Sequence, residues 1–340
     1  MENIDWSNLN FGYIKTDYNV RCVYKDGKWG ELEVSDSEYI NLHIAATSIH
    51  YGQEAFEGLK AYTCKDGKIK VFRWEENANR MYYTAEGIRM APVPIELFKE
   101  ALFKVVSLNK RFVPPYGSGA TLYIRPVLFG TGAEIGVKPA KEYTFIIFVM
   151  PVGSYSKDGV MPIDNYICRD YDRAAPLGTG SFKVGGNYAA SLRAMDQAKK
   201  LGYSSLIFLD AKEKKYIDEC GHANFFGIKN DTYITPKASK TILNSITNMS
   251  LETIAKSIGL KVERRDIPVE ELSTFTEAGA CGTAAVITPV KRIIDPDTKM
   301  IYEYCKDDKP GPWTMKLYNK LVGIQHGDEP DEYGWMTTIE

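Results

Sequence analysis

The stretch from Leu177 to Tyr188 holds one lysine, Lys183, between two glycine pairs, Gly178/Gly180 and Gly185/Gly186. Glycine lets backbone pass close to a bulky group and adopt positive φ, so something other than side chains can approach this lysine. A phosphate-cradling P-loop needs Gly directly before its Lys and Ser or Thr after it. Phe182 and Val184 flank Lys183 instead, so that geometry fails on spacing. The other chemical use of a desolvated lysine is as an amine nucleophile that forms a Schiff base with an aldehyde, of which pyridoxal phosphate is the obvious one. A solvated loop lysine beside turn glycines is the alternative that this stretch leaves open.

The elements that must position such a site read as a mixture of strands and helices. Asp26-Gly27 and Asp66-Gly67 each lie between β-prone runs and predict hairpins. Between them, Ile49 to Tyr62 combines aromatics with glycines, as a packed loop or a ligand-lining one does. After Phe72 the pattern becomes helical, with Glu75-Glu76 in the first turn, Ala78, Met81, Tyr82 and Ala85 on one face, Arg80 in the middle and Gly87 as the stop. Pro94 opens a second helix whose apolar face carries Leu97, Phe98, Ala101, Leu102, Val105 and Val106. Thr121 to Pro126 alternates as a strand with Tyr123 and Arg125 on one face, and Pro126 predicts that it ends or bulges there. Tyr143 to Met150 is a continuous apolar run, a strand buried on both faces.

Periodicity is lost from Pro151 to Pro162, which places the domain boundary there: a small domain over 1–152, an interdomain loop over 153–162 and a larger domain over 163–340. In the second half Asn187 is expected to cap a helix carrying Tyr188, Leu192, Met195 and Lys199, with Gly202 at its end. Strands follow at 206–209, 216–218, 224–228 and 233–235. The helix that starts near Ile246-Thr247 and stops at Gly259 has an N-terminus able to take an anion, although Thr247 as an ordinary N-cap explains it as well. Cys281 to Ala285 is a small-residue loop, and a closing helix runs from Trp313 to Gly323. Without regular βαβ alternation, two α+β lobes are expected rather than a doubly wound sheet.

Composition narrows the function class. The 340 residues are 44% hydrophobic and 25% charged with a net charge of -2, and no run of one sign points to nucleic acid or a membrane surface. The N-terminal residues have no secretory pattern and no apolar run is long enough to span a membrane, so a cytoplasmic protein is expected. The six cysteines are scattered without a C-x-x-C pair, which supports neither a disulfide framework nor a metal site.

Seven segments together resemble the branched-chain amino acid aminotransferases, members of the fold-type-IV pyridoxal-phosphate enzymes. They are Tyr51 to Tyr62, Leu122 to Pro126, Gly136 to Pro139, Lys183 to Tyr188, Glu219-Cys220-Gly221, Ile246-Thr247 and Gly282-Thr283-Ala284, in the family's order and approximate spacing. The resemblance implies a two-lobed α+β architecture, with a small N-terminal and a larger C-terminal domain of mixed sheets flanked by helices. It implies reversible transfer of the amino group of L-leucine, L-isoleucine or L-valine to 2-oxoglutarate. Lys183 would hold pyridoxal phosphate and move the proton between substrate Cα and cofactor C4′. Glu219 would serve the pyridine nitrogen, keeping the ring protonated as an electron sink. Tyr188 would donate to the phenolic oxygen, and Arg80 would grip the phosphate with the backbone of Ile246, Thr247 and Thr283.

For substrate, the same resemblance puts Tyr123 and the Thr283-Ala284 backbone near the α-carboxylate. Phe56 would wall the side-chain pocket, with Tyr51, Ile135 and Val137 arriving from the partner subunit of a homodimer. Tyr155 would belong to a covering loop. Apart from the resemblance, the strand face that Arg125 shares with Tyr123 makes it the candidate for the side-chain carboxylate of glutamate or 2-oxoglutarate. The alternative is that it only orients Tyr123 or pairs with a neighbouring acid. Two departures stand out: His222 occupies a position where many relatives have Thr, and Ala285-Val286-Ile287-Thr288 replaces a C-x-x-C seen in some, so thiol redox control is not expected. A D-amino acid aminotransferase or an aminodeoxychorismate lyase would share Lys183, Glu219 and Arg80, but the aliphatic and aromatic pocket residues argue against both. A non-catalytic cofactor- or nucleotide-binding module would not need the electron-sink carboxylate.

Overall fold

A computed structural model describes residues 4–153 and 159–339. The chain divides into two compact units, one comprising Met1–Tyr155, Phe182–Gly185 and Gly323–Glu340, the other Ser156–Ser181 and Gly186–Val322. This differs from a single cut within 153–162. The chain end returns because a strand at Met336–Thr338 pairs antiparallel with Ile69–Phe72, next to backbone bonds from Arg73 to Trp335 and from Ile339 to Ile69. Among the described residues no helix is long and apolar enough to cross a membrane.

The first unit is built on an antiparallel sheet. Its strands are β1 (Asn19–Lys25), β2 (Lys28–Trp29), β3 (Glu33–Ser35), β4 (Glu54–Phe56), β5 (Leu59–Thr63), β6 (Ile69–Phe72), β7 (Thr121–Gly130) and β8 (Tyr143–Val152), with the C-terminal strand on β6. The Asp26-Gly27 turn has both residues left-handed, φ 51 and 82, as a two-residue hairpin requires, and pairs Lys25 with Lys28. Helices α1 (Thr47–Tyr51), α2 (Trp74–Gly87) and α3 (Ile95–Leu108) accompany the sheet. Met81, Ala85, Phe98, Leu102 and Val105 from α2 and α3 form one core with Leu59, Leu122, Ile124, Phe145 and Ile147 of the strands. Because strand side chains alternate, Tyr123 and Arg125 stand on the opposite face from Leu122 and Ile124. Tyr82, which its spacing assigns to the buried face of α2, is 38% exposed, because Ala78, Met81 and Ala85 suffice to cover the core.

Pro126 does not end its strand, which runs on to Gly130 paired with β8 throughout. The reason lies on the other edge. There β7 changes partner, from β5 at Leu122–Ile124 to β4 at Val127–Phe129, and the intervening Glu57-Gly58 leaves the ladder. The Pro126 carbonyl accepts from Glu57 N–H at 2.8 Å, and the missing proline N–H falls where no strand asks for it.

In the second unit β9 (Ile163–Cys168), β10 (Ser205–Leu209), β11 (Ile217–Cys220), β12 (Ala223–Lys229), β13 (Thr232–Pro236), β14 (Lys261–Arg265), β15 (Glu277–Gly282), β16 (Val286–Ile294) and β17 (Ile301–Glu303) form a mixed sheet. Pairing of β11 with β12 closes the order β11-β10-β9-β16-β15-β12 on itself. Ile207, Leu209, Ile217, Phe225 and Ile293 share one core. Leu206 and Phe208, on the other face of β10, meet Ala194 and Ala198 of α4 (Gly185–Lys200). This face of α4 differs from the expected one. Leu192 is 63% exposed, and Asn187 is no cap but lies inside the first turn, exchanging hydrogen bonds with Thr179.

Helix α5 (Ile246–Ser257) is capped by Ser245, whose Oγ accepts from Asn248 N–H at 3.2 Å, so Thr247 is not the N-cap. Ser245 is buried, so no water replaces its oxygen easily. Ser245→Ala is expected to lower stability by about 1 kcal/mol, seen as a lower denaturant midpoint with an unchanged slope. An unchanged midpoint would show that the helix start is held by other contacts.

Candidate active site

Lys183 belongs to a short run clamped onto the first unit. Its N–H donates to Thr84 Oγ1 of α2 at 3.1 Å, and its carbonyl accepts from Phe56 N–H of β4 at 3.1 Å. Phe182 packs on Tyr83, with ring centroids 5.1 Å apart, and against Gly87, where a Cβ would collide with its ring. Gly185 N–H donates to Glu54 Oε1, and a Cβ there would strike the same carboxylate. The glycine after the lysine is thus required by close approach.

The Lys183 ammonium lies 4.7 Å from the Phe56 ring centroid, and the Arg125 guanidinium lies 4.8 Å from the same centroid. Arg125 Nη2 donates to the Tyr123 hydroxyl at 2.8 Å, while its buried Nε has no hydrogen-bond partner. Gly58 makes room for that hydroxyl, which a Cβ would displace. Phe56, Tyr123, Arg125 and Lys183 are therefore together, as the strand alternation predicted for the middle two.

Arg80 is held by a carboxylate that the sequence did not single out. Its Nε and Nη2 donate to Glu57 Oε1 and Oε2 at 2.7 and 2.8 Å, and Asn77 Nδ2 donates to Oε2 at 2.8 Å. Glu57 is fully buried. Burial would raise its pKa, but the charge and bonds of Arg80, aided by Lys183 and Asn77, outweigh this and hold it below the usual range. Tyr51 donates to the Ile135 carbonyl, and Tyr51, Ile135 and Val137 are 42%, 70% and 87% exposed. Tyr155 lies outside the described residues.

In the second unit Glu219 on β11 is only 3% exposed. Its Oε2 takes Arg173 Nε at 2.9 Å and its Oε1 takes Leu243 N–H at 2.6 Å. Tyr188 on α4 stacks on His222, with centroids 5.3 Å apart and rings 25° from parallel, and Ser191 Oγ is 2.9 Å from His222 Nε2. Ile246 and Thr247 open α5 and are buried, and Thr283 and Ala284 sit in the turn joining β15 to β16. Cys220 and Cys281 are buried thiols with pKa values pushed well up by burial, which makes them poor nucleophiles.

Glu57 and Arg173 are the residues that sequence reasoning missed. Glu57 lies inside the Tyr51–Tyr62 motif, so its position in an aromatic and glycine-rich run was the available signal. Arg173 gave none.

Residues 54–293 match the model of the amino-transferase class IV family. The chain is 49% identical to a branched-chain-amino-acid aminotransferase of Haemophilus influenzae, with all of both chains covered. Its fold is similar to the branched-chain amino acid aminotransferase of Escherichia coli, at a TM-score of 0.78 and 26% identity over 96% of this chain and 100% of that one. It is also similar to the branched-chain aminotransferase of the thermophilic archaeon Thermoproteus uzoniensis, solved with norvaline, at a TM-score of 0.76 and 27% identity over 94% of this chain and 100% of that one. An amine clamped by backbone at Lys183, an arginine over an aromatic wall and a buried carboxylate at Glu219 are thus found on a chain that belongs to the class IV aminotransferases, within the branched-chain-amino-acid aminotransferase family.

Proposed function

We propose that this chain transfers the amino group of L-leucine, L-isoleucine or L-valine to 2-oxoglutarate using pyridoxal phosphate bound at Lys183. The observation that carries this reading is the Lys183 ammonium against Phe56, with its backbone fixed from β4 and α2. The residues present suit the cofactor. Glu219 offers a buried anion to a ring N–H, and the first turn of α5 offers N–H groups to a phosphate. The cofactor, when bound, supplies the electron sink that substrate Cα needs after losing its proton.

Lys183 would hold the cofactor through its amine, and that amine would carry the proton taken from substrate Cα. Glu219 keeps the ring nitrogen protonated, and Tyr188 donates to the phenolic oxygen. Arg80, Ile246, Thr247 and the Thr283 backbone bind phosphate, with Glu57 fixing the Nε–Nη2 edge of the Arg80 guanidinium. Tyr123 and the Thr283-Ala284 backbone take the α-carboxylate. Phe56 lines the apolar pocket with Tyr51, Ile135 and Val137 of a second copy, whose exposure in one chain agrees with a homodimer. Tyr155 belongs to the covering loop, and the enzyme works in the cytoplasm.

Arg125 provides dual recognition. A second carboxylate buried among Phe56 and Tyr123 would cost several kcal/mol without a partner, and the unsatisfied Nε of Arg125 supplies one. Glu54, held by Gly185 N–H, also feels Arg125 and is the neighbouring acid against which substrate competes.

Lys183→Ala is expected to abolish transamination while leaving phosphate-dependent cofactor binding. Borohydride reduction of the wild type followed by peptide mapping should label Lys183, and label on another lysine would refute the assignment. Arg125→Met is expected to raise KM for 2-oxoglutarate tenfold or more, roughly 1.4 kcal/mol, while 4-methyl-2-oxopentanoate stays within a few-fold. Equal losses for both keto acids would place Arg125 with the α-carboxylate instead.

A further inference from the structure

Arg173 lies in the loop before the lysine stretch and is itself buried, at 7% exposure. It reaches three acceptors at once. Nε donates to Glu219 Oε2 at 2.9 Å, and Nη1 donates to the carbonyls of Gly180 and, more closely, Thr241. Leu243, just beyond Thr241, donates to the other Glu219 oxygen, and its own carbonyl accepts from Asn224 Nδ2 at 3.1 Å. Gly180 permits the arrangement: a Cβ there would stand 2.6 Å from Thr241 Cα and 2.7 Å from the Lys240 carbonyl. Backbone from two segments thus fixes a guanidinium that faces Glu219.

A carboxylate has about four lone-pair sites, and the bonds from Arg173 and Leu243 engage one on each Glu219 oxygen. They do decide how basic it is. A carboxylate whose charge is stabilised by a guanidinium and an N–H gives up negative charge reluctantly and is a weak proton acceptor. A neutral partner would let Glu219, buried as it is, draw a proton onto itself.

We propose that Arg173 is a positioning residue that holds Glu219 ionised and thereby keeps the shared proton on the cofactor's ring nitrogen rather than on the carboxylate. The proposal rests on the assignment of Glu219 to that nitrogen made above. Asp218, next in the strand, is a second acid within reach of the Arg173 charge. Burial pushes its carboxyl up to about 6, and it lines a separate small cavity of about 170 Å³ with Asp210, Thr241 and Asp266. If Arg173 served only as its counter-ion, the ring nitrogen would not sense the arginine.

The test uses holoenzyme loaded with pyridoxal phosphate labelled at the ring nitrogen and read by nitrogen NMR at neutral pH, with kcat and KM for L-leucine measured on the same samples. Wild type and Asp218→Asn should give the signal of a protonated ring. Arg173→Met should move it toward that of neutral pyridine and lower kcat by roughly tenfold or more, with KM changed only a few-fold. Arg173→Lys keeps a charge but gathers its donors on one nitrogen, where arginine spreads them over Nε and Nη1, and should fall between. A wild-type signal in Arg173→Met, alongside a lost one in Glu219→Gln, would overturn the proposal. A protonated signal retained in Glu219→Gln would overturn the Glu219 assignment beneath it. Should Arg173→Met fail to fold, Arg173→Lys decides by the same signal, and an unshifted ring nitrogen there overturns the proposal.

Discussion

Charge buried beside its opposite is the constraint that recurs in each of the two units. An isolated buried carboxylate costs several kcal/mol, and removing one partner of a buried pair costs about 3–5 kcal/mol because the other is left uncompensated. Glu57 and Glu219 are both buried, and each has an arginine within hydrogen-bonding distance. Such pairs contribute little net stability against a well-packed apolar alternative. Their value lies in geometry: a guanidinium held by two parallel bonds along one edge cannot rotate, and a carboxylate bound at both oxygens cannot turn.

The backbone around each pair is shaped to admit it. At Glu57-Gly58 the strand ladder breaks, so the Glu57 side chain turns to Arg80 while its N–H is satisfied by the Pro126 carbonyl. Proline is the residue that loses least at that point, since the gap left by the departing strand needs no N–H. At Gly180 the absence of a Cβ lets one segment lie against Thr241, which brings two carbonyls to Arg173. Lys183 is fixed in the same manner, by backbone bonds and by glycines that permit contact, so its amine is placed by the main chain and not by rotamer packing alone.

How much of this was legible in sequence follows from range. Features set by neighbours were readable: the Asp26-Gly27 hairpin, the face shared by Tyr123 and Arg125, the apolar stripe of α3 and the glycine-flanked lysine. Features set by tertiary partners were not. Leu192 sits at helical spacing from Tyr188, yet small residues at Ser191, Ala194 and Ala198 form the buried face, because the strand side chains Tyr166, Leu206 and Phe208 fill the space themselves. Pro126 read as a strand end because its neighbour's interruption is invisible locally. Glu57 and Arg173 are ordinary charged residues whose partners lie 23 and 46 positions away, at Arg80 and Glu219. No local pattern marks an ion pair of that separation. The strand at 336–338 was missed for the same reason: three residues carry no periodicity, and pairing with β6 makes them a strand.

In the pocket proposed above, one wall would suit both apolar and acidic side chains, because Arg125 has two uses of comparable strength. Lying over Phe56 and Tyr123 at 4.8 and 5.2 Å, its guanidinium gains a cation–π attraction worth about 0.5–2 kcal/mol that needs no carboxylate. It remains held at Nη2 by Tyr123, with Nε buried and unbonded. A carboxylate that reaches Nε satisfies that atom through a charge-assisted bond worth about 1.5–3 kcal/mol and removes the cost of leaving it unpaired. Neither state dominates by more than the substrate can supply. Under the proposed role, stacking would keep the cation from demanding a carboxylate when the substrate is apolar, and the unsatisfied nitrogen would reward one when the substrate is acidic.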